Sequence, residues 1–196
     1  LAFLLEMFIA SFGGIVFMAR RVGCSVQIQV DHAEHEEAVH AALPAVPRKA
    51  AAGGLLDAFD ERLPFQLTAG QVRVGDEIAA DLARGHPMHR LLQGEVGTGK
   101  TVVALRAMLT VVDSGGQAVL LAPTEVLAQQ HYRSLTGLLG PLAERGLLGG
   151  SDAGTRVALL TGSLGAEAHR EALLLAVSGQ AGIIVGTHAL LEDRVQ

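Results

Sequence analysis

Disulfides, aromatic side chains and surplus positive charge are all scarce in this sequence. It holds one cysteine, Cys24, which excludes an intramolecular disulfide and suits a reducing compartment such as the cytoplasm. Cys24 itself reads as a small buried residue rather than a reactive thiol. Aromatic residues make up 4% of the chain although 49% of it is hydrophobic, so Ala, Leu, Val and Gly must build the core. That composition suits an α/β domain of buried strands and Ala/Leu-rich helices. The net charge of −5 excludes a global basic field, so any contact with a polyanion must be local, through backbone amides and hydroxyls. No N-K-x-D motif is present to read guanine, and Gly and Ala stand where a small-molecule kinase would carry lid arginines. At 196 residues there is room for one core, or for one domain with an appendage.

The most informative stretch is Gly94-Glu95-Val96-Gly97-Thr98-Gly99-Lys100-Thr101, which fits the phosphate-binding pattern G-x-x-x-x-G-K-[ST]. Gly94, Gly97 and Gly99 permit backbone angles that turn successive N–H groups toward phosphate oxygens. Lys100 brings a positive charge to the β/γ-phosphates, and the Thr101 hydroxyl is placed to ligate Mg²⁺. Residues 89–93 read as a short buried strand and residues 101–110 as a helix, which supplies the strand–loop–helix setting the motif needs. The expected ligand is ATP or GTP with Mg²⁺.

Residues 1–19 are almost wholly apolar, broken by Glu6 and by Gly13-Gly14, and end at Arg20-Arg21. The favoured reading is a helix that packs on protein outside this chain; the alternative is a membrane segment. A signal peptide is not expected, because its charge would precede the apolar run. There is no initiating Met, and the chain reads as a fragment. Residues 21–30 alternate as a half-buried strand. A polar helix follows over 32–43, in which His32, His35, Glu36 and His40 have metal-ligand spacing but read better as a solvated face. Residues 43–54, with two prolines and a small-residue run, predict a linker and a domain boundary near 54.

Beyond that boundary the pattern becomes regular. Helices are expected over 55–63, from Thr68 to Leu82, over 101–110, from about Thr124 to 139, and over 165–177. Thr68 and Gln71 have capping-box spacing. Short apolar strands are expected at 117–122, 156–160 and 183–185, with a Gly-rich loop at 146–154. Strands alternating with helices predict a parallel sheet covered on both faces, with ligands beyond the carboxyl ends of the strands. The loops there carry Thr124, Thr161 and Thr187. A hydroxyl beside a helix-initiating N–H suits a phosphate, although N-capping alone would explain Thr124 and Thr187.

RLLQGEVGTGKTVVA (90–104), APTEVLAQQHY (122–132), LLTGS (159–163) and IIVGTHALLEDRVQ (183–196) resemble, in order and spacing, the first motor domain of the RecG family of superfamily 2 DNA helicases. LPFQLTAGQVRVGDEIAADL (63–82) is similar to the segment before that family's phosphate loop. The resemblance covers about residues 55–196. It implies a truncated RecA-like P-loop NTPase fold, a parallel sheet flanked by helices, behind an extension of residues 1–54. It also implies ATP-driven movement on branched or forked DNA, with no stable protein partner. Gln71 would read adenine with Phe65 stacking beside it. Gly97, Thr98, Gly99, Lys100 and Thr101 would hold the triphosphate and Mg²⁺, with Lys100 and Thr101 in the catalytic roles. Thr124 and Glu125, Thr187, and with less support Thr161 and Gly162, would lie along the DNA strand. The family's D-E-x-H motif, second motor domain and wedge domain are not in this sequence, so the chain alone is expected to be inactive, and residues 1–50 match nothing in the family. The rival reading is a P-loop nucleotide-binding module of another kind, tethered to a membrane by residues 1–19.

Overall fold

Each short apolar run after residue 110 becomes a strand, and each amphipathic run between them a helix. The computed structural model describes residues 16–20, 44–88, 90–94, 97–144 and 154–187. Its elements are β1 (Val16–Arg20), α1 (Leu55–Arg62), α2 (Ala69–Leu82), α3 (Lys100–Asp113) and β2 (Gln117–Leu121). They continue with α4 (Glu125–Leu139), a 3-10 turn (Gly140–Ala143), β3 (Arg156–Leu160), α5 (Ala166–Val177) and β4 (Ala181–Gly186).

The sheet order is β1-β2-β4-β3, with β2, β4 and β3 parallel and β1 antiparallel to β2. β4 lies between two parallel neighbours and is buried along its whole length, as its unbroken apolar sequence AGIIVG requires. From β2 the chain passes over β4 to reach β3, then steps back to β4. Right-handed crossovers in opposite directions put their helices on opposite faces. α4 therefore joins α3 on one face, where Leu105, Met108, Leu109, Leu135 and Leu139 pack with Leu120, Val157, Ile183 and Val185. α5 covers the other, where Ala172 and Ala176 meet Ala158, Leu160 and Ile184. Alternation along each strand divides these two sets.

α3 is anchored along its length. Leu105, Met108, Leu109 and Val111 are completely buried. Arg106 makes a two-pronged ion pair with Asp60 of α1, at 2.9 and 2.8 Å. At the end of α3, the Asp113 carboxylate accepts the Leu55 and Leu56 N–H groups at 2.7 and 3.1 Å. Those are orphan donors at the start of α1, whose own N-cap is Gly54 and offers no side chain. One carboxylate thus ends one helix and caps another.

Three expectations change. Residues 16–20 form the antiparallel edge strand β1 rather than the end of an apolar helix. The open edge of β2 offers unpaired backbone groups to the run VFMAR, whose Val16 and Phe17 favour strand. Residues 90–94 form no ladder, and Leu91 is 37% exposed, so the buried strand expected before the phosphate loop is absent among the described residues. A strand needs a hydrogen-bonded neighbour, and here β1 and β4 occupy both edges of β2. Part of the expected linker is a packed strap. Ala45 and Arg48 donate their N–H groups to Gly85 and Leu82 at the end of α2, and Arg48 is 3% exposed with its guanidinium on Ser114.

Several expectations fall outside the described residues: the apolar run up to residue 15, the strand at 21–30, the helix carrying His32, His35, Glu36 and His40, and the loop at 146–153. Among the described residues no helix is long and apolar enough to cross a membrane, and no cluster of His, Cys, Asp or Glu could hold a metal ion.

Replacing Asp113 with Ala is expected to lower stability by about 1–2 kcal/mol through the lost α1 cap. Urea unfolding measures it; a midpoint unchanged from wild type would show that the cap contributes nothing.

Candidate nucleotide and nucleic-acid site

The phosphate-loop helix runs antiparallel to the strand that follows it. α3 descends to Asp113, the chain turns at Ser114 and Gly115, and β2 climbs back. The glycine loop at the head of α3 therefore stands at the sheet edge where the parallel strands end. Across that edge Leu121 and Leu160 both lie in register with Gly186. The continuations of β2, β4 and β3 emerge side by side beyond these residues.

In the loop, Gly97 and Gly99 have φ of 86° and 78°, the left-handed region expected of the motif's glycines, whereas Gly94 lies outside it. Gly99 has a second constraint, because a Cβ there would collide with the Gln71 amide nitrogen. Gln71 and Thr68 form the complete capping box at the start of α2. The amide oxygen of Gln71 accepts the Thr68 N–H at 2.9 Å, while its Nε2 donates to the Thr98 carbonyl at 2.9 Å. One Gln71 side chain thus both caps α2 and reaches the glycine loop. Lys100 Nζ donates to the Gly94 carbonyl at 2.7 Å, so its ammonium lies within the span of the loop. Thr101 is half-buried in the first turn of α3, and Phe65 is 45% exposed on the connection between α1 and α2. Left-handed glycines, an ammonium held at the loop and a hydroxyl in the first helical turn are a donor set that fits a triphosphate with Mg²⁺.

A charge cluster that motif reading missed ties α2 to the run entering this loop. Arg90 pairs with Asp81, and its other arm reaches Glu77 at 2.9 Å; Asp81 is buried and also meets Arg84 at 3.2 Å. The hydrogen bond to Asp81, with the charges of Asp81 and Glu77, raises the Arg90 pKa above its ordinary value against the opposing effect of burial. Glu77 and Asp81 are one helical turn apart on one face, a signal the sequence did contain.

At the strand ends, Thr124 is exposed and its Oγ1 caps α4 by accepting the Leu127 N–H at 3.3 Å. Thr187 is half-buried at the end of β4. Thr161 departs from expectation: it is completely buried, 3.5 Å from the Ser163 hydroxyl, and cannot present its side chain to a polyanion. A hydroxyl that leaves the surface at a strand end turns to a local partner instead. Gly162 and Ser163 are the exposed part of that turn. Glu125 is engaged within the protein, its Oε1 accepting the Ser163 N–H at 3.0 Å.

A lysine-bearing glycine loop and hydroxyl-bearing loops beyond the ends of parallel strands define the P-loop nucleotide-binding class. The chain belongs to the DEAD/DEAH box helicase family, which matches over residues 71–196. Within it, the chain is 56% identical over 142 residues to the ATP-dependent DNA helicase RecG of Mycobacterium tuberculosis (strain CDC 1551 / Oshkosh), covering 72% of this chain and 19% of that protein. It is 45% identical over 136 residues to the ATP-dependent DNA helicase RecG of Aquifex aeolicus (strain VF5), covering 69% of this chain and 16% of that protein. A solved structure of RecG bound to a three-way DNA junction superposes with a TM-score of 0.63 at 35% identity, over 80% of this chain and 19% of that one. The chain thus spans less than a fifth of the length of these relatives.

Gly99→Ala and Gly115→Ala both force a side chain into a left-handed position, with φ of 78° in each case, but a Cβ at residue 115 meets nothing within 4 Å. Each is expected to cost about 1 kcal/mol of strain. Only Gly99→Ala should weaken nucleotide binding, by about tenfold or more, as measured by fluorescent-nucleotide titration. Equal affinities would remove Gly99 and Gln71 from the site.

Proposed function

We propose that this chain is the nucleotide-binding part of an ATP-dependent DNA helicase that moves on branched DNA. The observation that carries the reading is the shared edge: the lysine-bearing glycine loop, tied to Gln71, stands on the same side of the sheet as the Thr124, Gly162 and Thr187 loops. The names of the relatives and the three-way junction in the RecG structure support it. ATP with Mg²⁺ would supply the free energy for movement. Gly94, Gly97, Thr98 and Gly99 offer backbone donors for the phosphates, Lys100 a charge and Thr101 a hydroxyl for Mg²⁺. Gln71, with Phe65 nearby on the chain, would recognise the base. Thr124, Gly162 and Thr187 meet the DNA backbone through hydroxyls and N–H groups, which a chain of net charge −5 needs in place of a basic surface. The DNA substrate and the single cysteine suit a cytoplasmic location.

In the full-length protein, a three-way junction should stimulate ATP hydrolysis more than linear duplex does. Lys100→Ala should reduce that hydrolysis by at least about a hundredfold. A rate indifferent to DNA would overturn the reading. The isolated 196 residues, whose sequence contains no D-E-x-H carboxylates, should bind nucleotide weakly and not hydrolyse it; measurable turnover by the purified chain would refute this.

A further inference from the structure

A carboxylate is an unfavourable neighbour for a surface that follows a polyanion, because like charges repel. Glu125 nevertheless stands at the first position of α4, half-buried, where the partial positive charge of the helix N-terminus favours it. Its Oε1 accepts the Ser163 N–H at 3.0 Å. That donor belongs to the turn after β3, whereas Glu125 follows β2, and β4 lies between those two strands. The bond therefore joins loops two strands apart. The approach is close: a Cβ on Gly162 would lie 3.1 Å from Oε1, so glycine lets the turn settle against the carboxylate. Thr124, by capping α4, fixes the stretch of chain from which Glu125 projects.

We propose that Glu125 is a positioning residue rather than a DNA contact. It clasps the Thr124 loop to the turn at residues 161–163, so that the two outer loops of the sheet edge keep a set spacing on either side of Thr187. The inference rests on the reading of this edge as a DNA-tracking surface. With the clasp in place, the exposed Gly162 and Ser163 backbone is ordered before DNA arrives; without it, binding must supply that order.

The test compares Glu125→Ala with Glu125→Gln in the full-length protein, reading the concentration of a three-way junction that half-maximally stimulates ATP hydrolysis. Gln keeps a carbonyl acceptor for the Ser163 N–H and removes the charge. Glu125→Ala is expected to raise the half-saturating concentration about fivefold, with the saturating rate within about twofold, while Glu125→Gln stays near wild type. Hydrogen exchange of the Ser163 amide should quicken in the Ala variant alone. Gly162→Ala, which presses on the carboxylate from the turn side, should shift the half-saturating concentration in the same direction. A Gln variant as impaired as Ala would overturn the clasp by making charge the active property. Tighter DNA binding by both variants would make Glu125 a repulsive group, and no change in the Ala variant would leave it no positioning role. A wild-type protein whose hydrolysis ignores DNA overturns the tracking reading instead, and the inference falls with it.

Discussion

The register of β4 between β2 and β3 is the constraint on which the rest of the structure depends. Gly186 pairs with Leu121 on one side and Leu160 on the other, so three strands end at one level. Backbone ladders are directional and their groups are buried, and slipping a strand by one residue would carry its apolar set to the opposite face. Ile183 and Val185 belong to the core under α3 and α4, and Ile184 to the core under α5. Two different helix layers thus hold the same register, and the loops beyond it inherit a common edge.

α3 brings the nucleotide loop to that edge. Its middle turns are buried against the sheet, while Arg106 and Asp113 engage α1, through Asp60 and the α1 N-terminus. α2 is held separately, with Gln71 on the loop at one end and Arg90 on Asp81 near the other. The strap from residue 45 to 48 then closes over the carbonyls where α2 finishes. Helix ends are where backbone groups lack partners, and here side chains or strands of remote chain supply several of those partners.

The loops at this edge are held mainly by hydrogen bonds to backbone groups. Thr98 and Gly94 contribute carbonyls to the loop's own hydrogen bonds, with Gln71 and Lys100 as donors. Glu125 and Ser163 join the outer loops.

What was legible in the sequence was local. The phosphate loop shows in its glycines and Lys100, because left-handed backbone and a helix-opening lysine are properties of adjacent residues. The capping box of Thr68 and Gln71, the helices from 55 to 177 and the three parallel strands are carried by periodicity within a few turns. Tertiary structure decided everything that needed a distant partner. Residues 90–94 are apolar enough for a strand but make no ladder, since pairing depends on which edge is free. Residues 16–20 became a strand because β2 had such an edge. Thr161 has the same local sequence signal as Thr124, yet one is buried and the other exposed. Asp113 lies 58 and 57 residues from the α1 N–H groups it caps, Arg90 9 and 13 from its two carboxylates on α2, and Glu125 38 from Ser163. Sequence pattern fixes backbone preference and burial tendency over one element; which charges and orphan backbone groups meet is set by chain topology, and only the folded sheet brings those residues within hydrogen-bond reach.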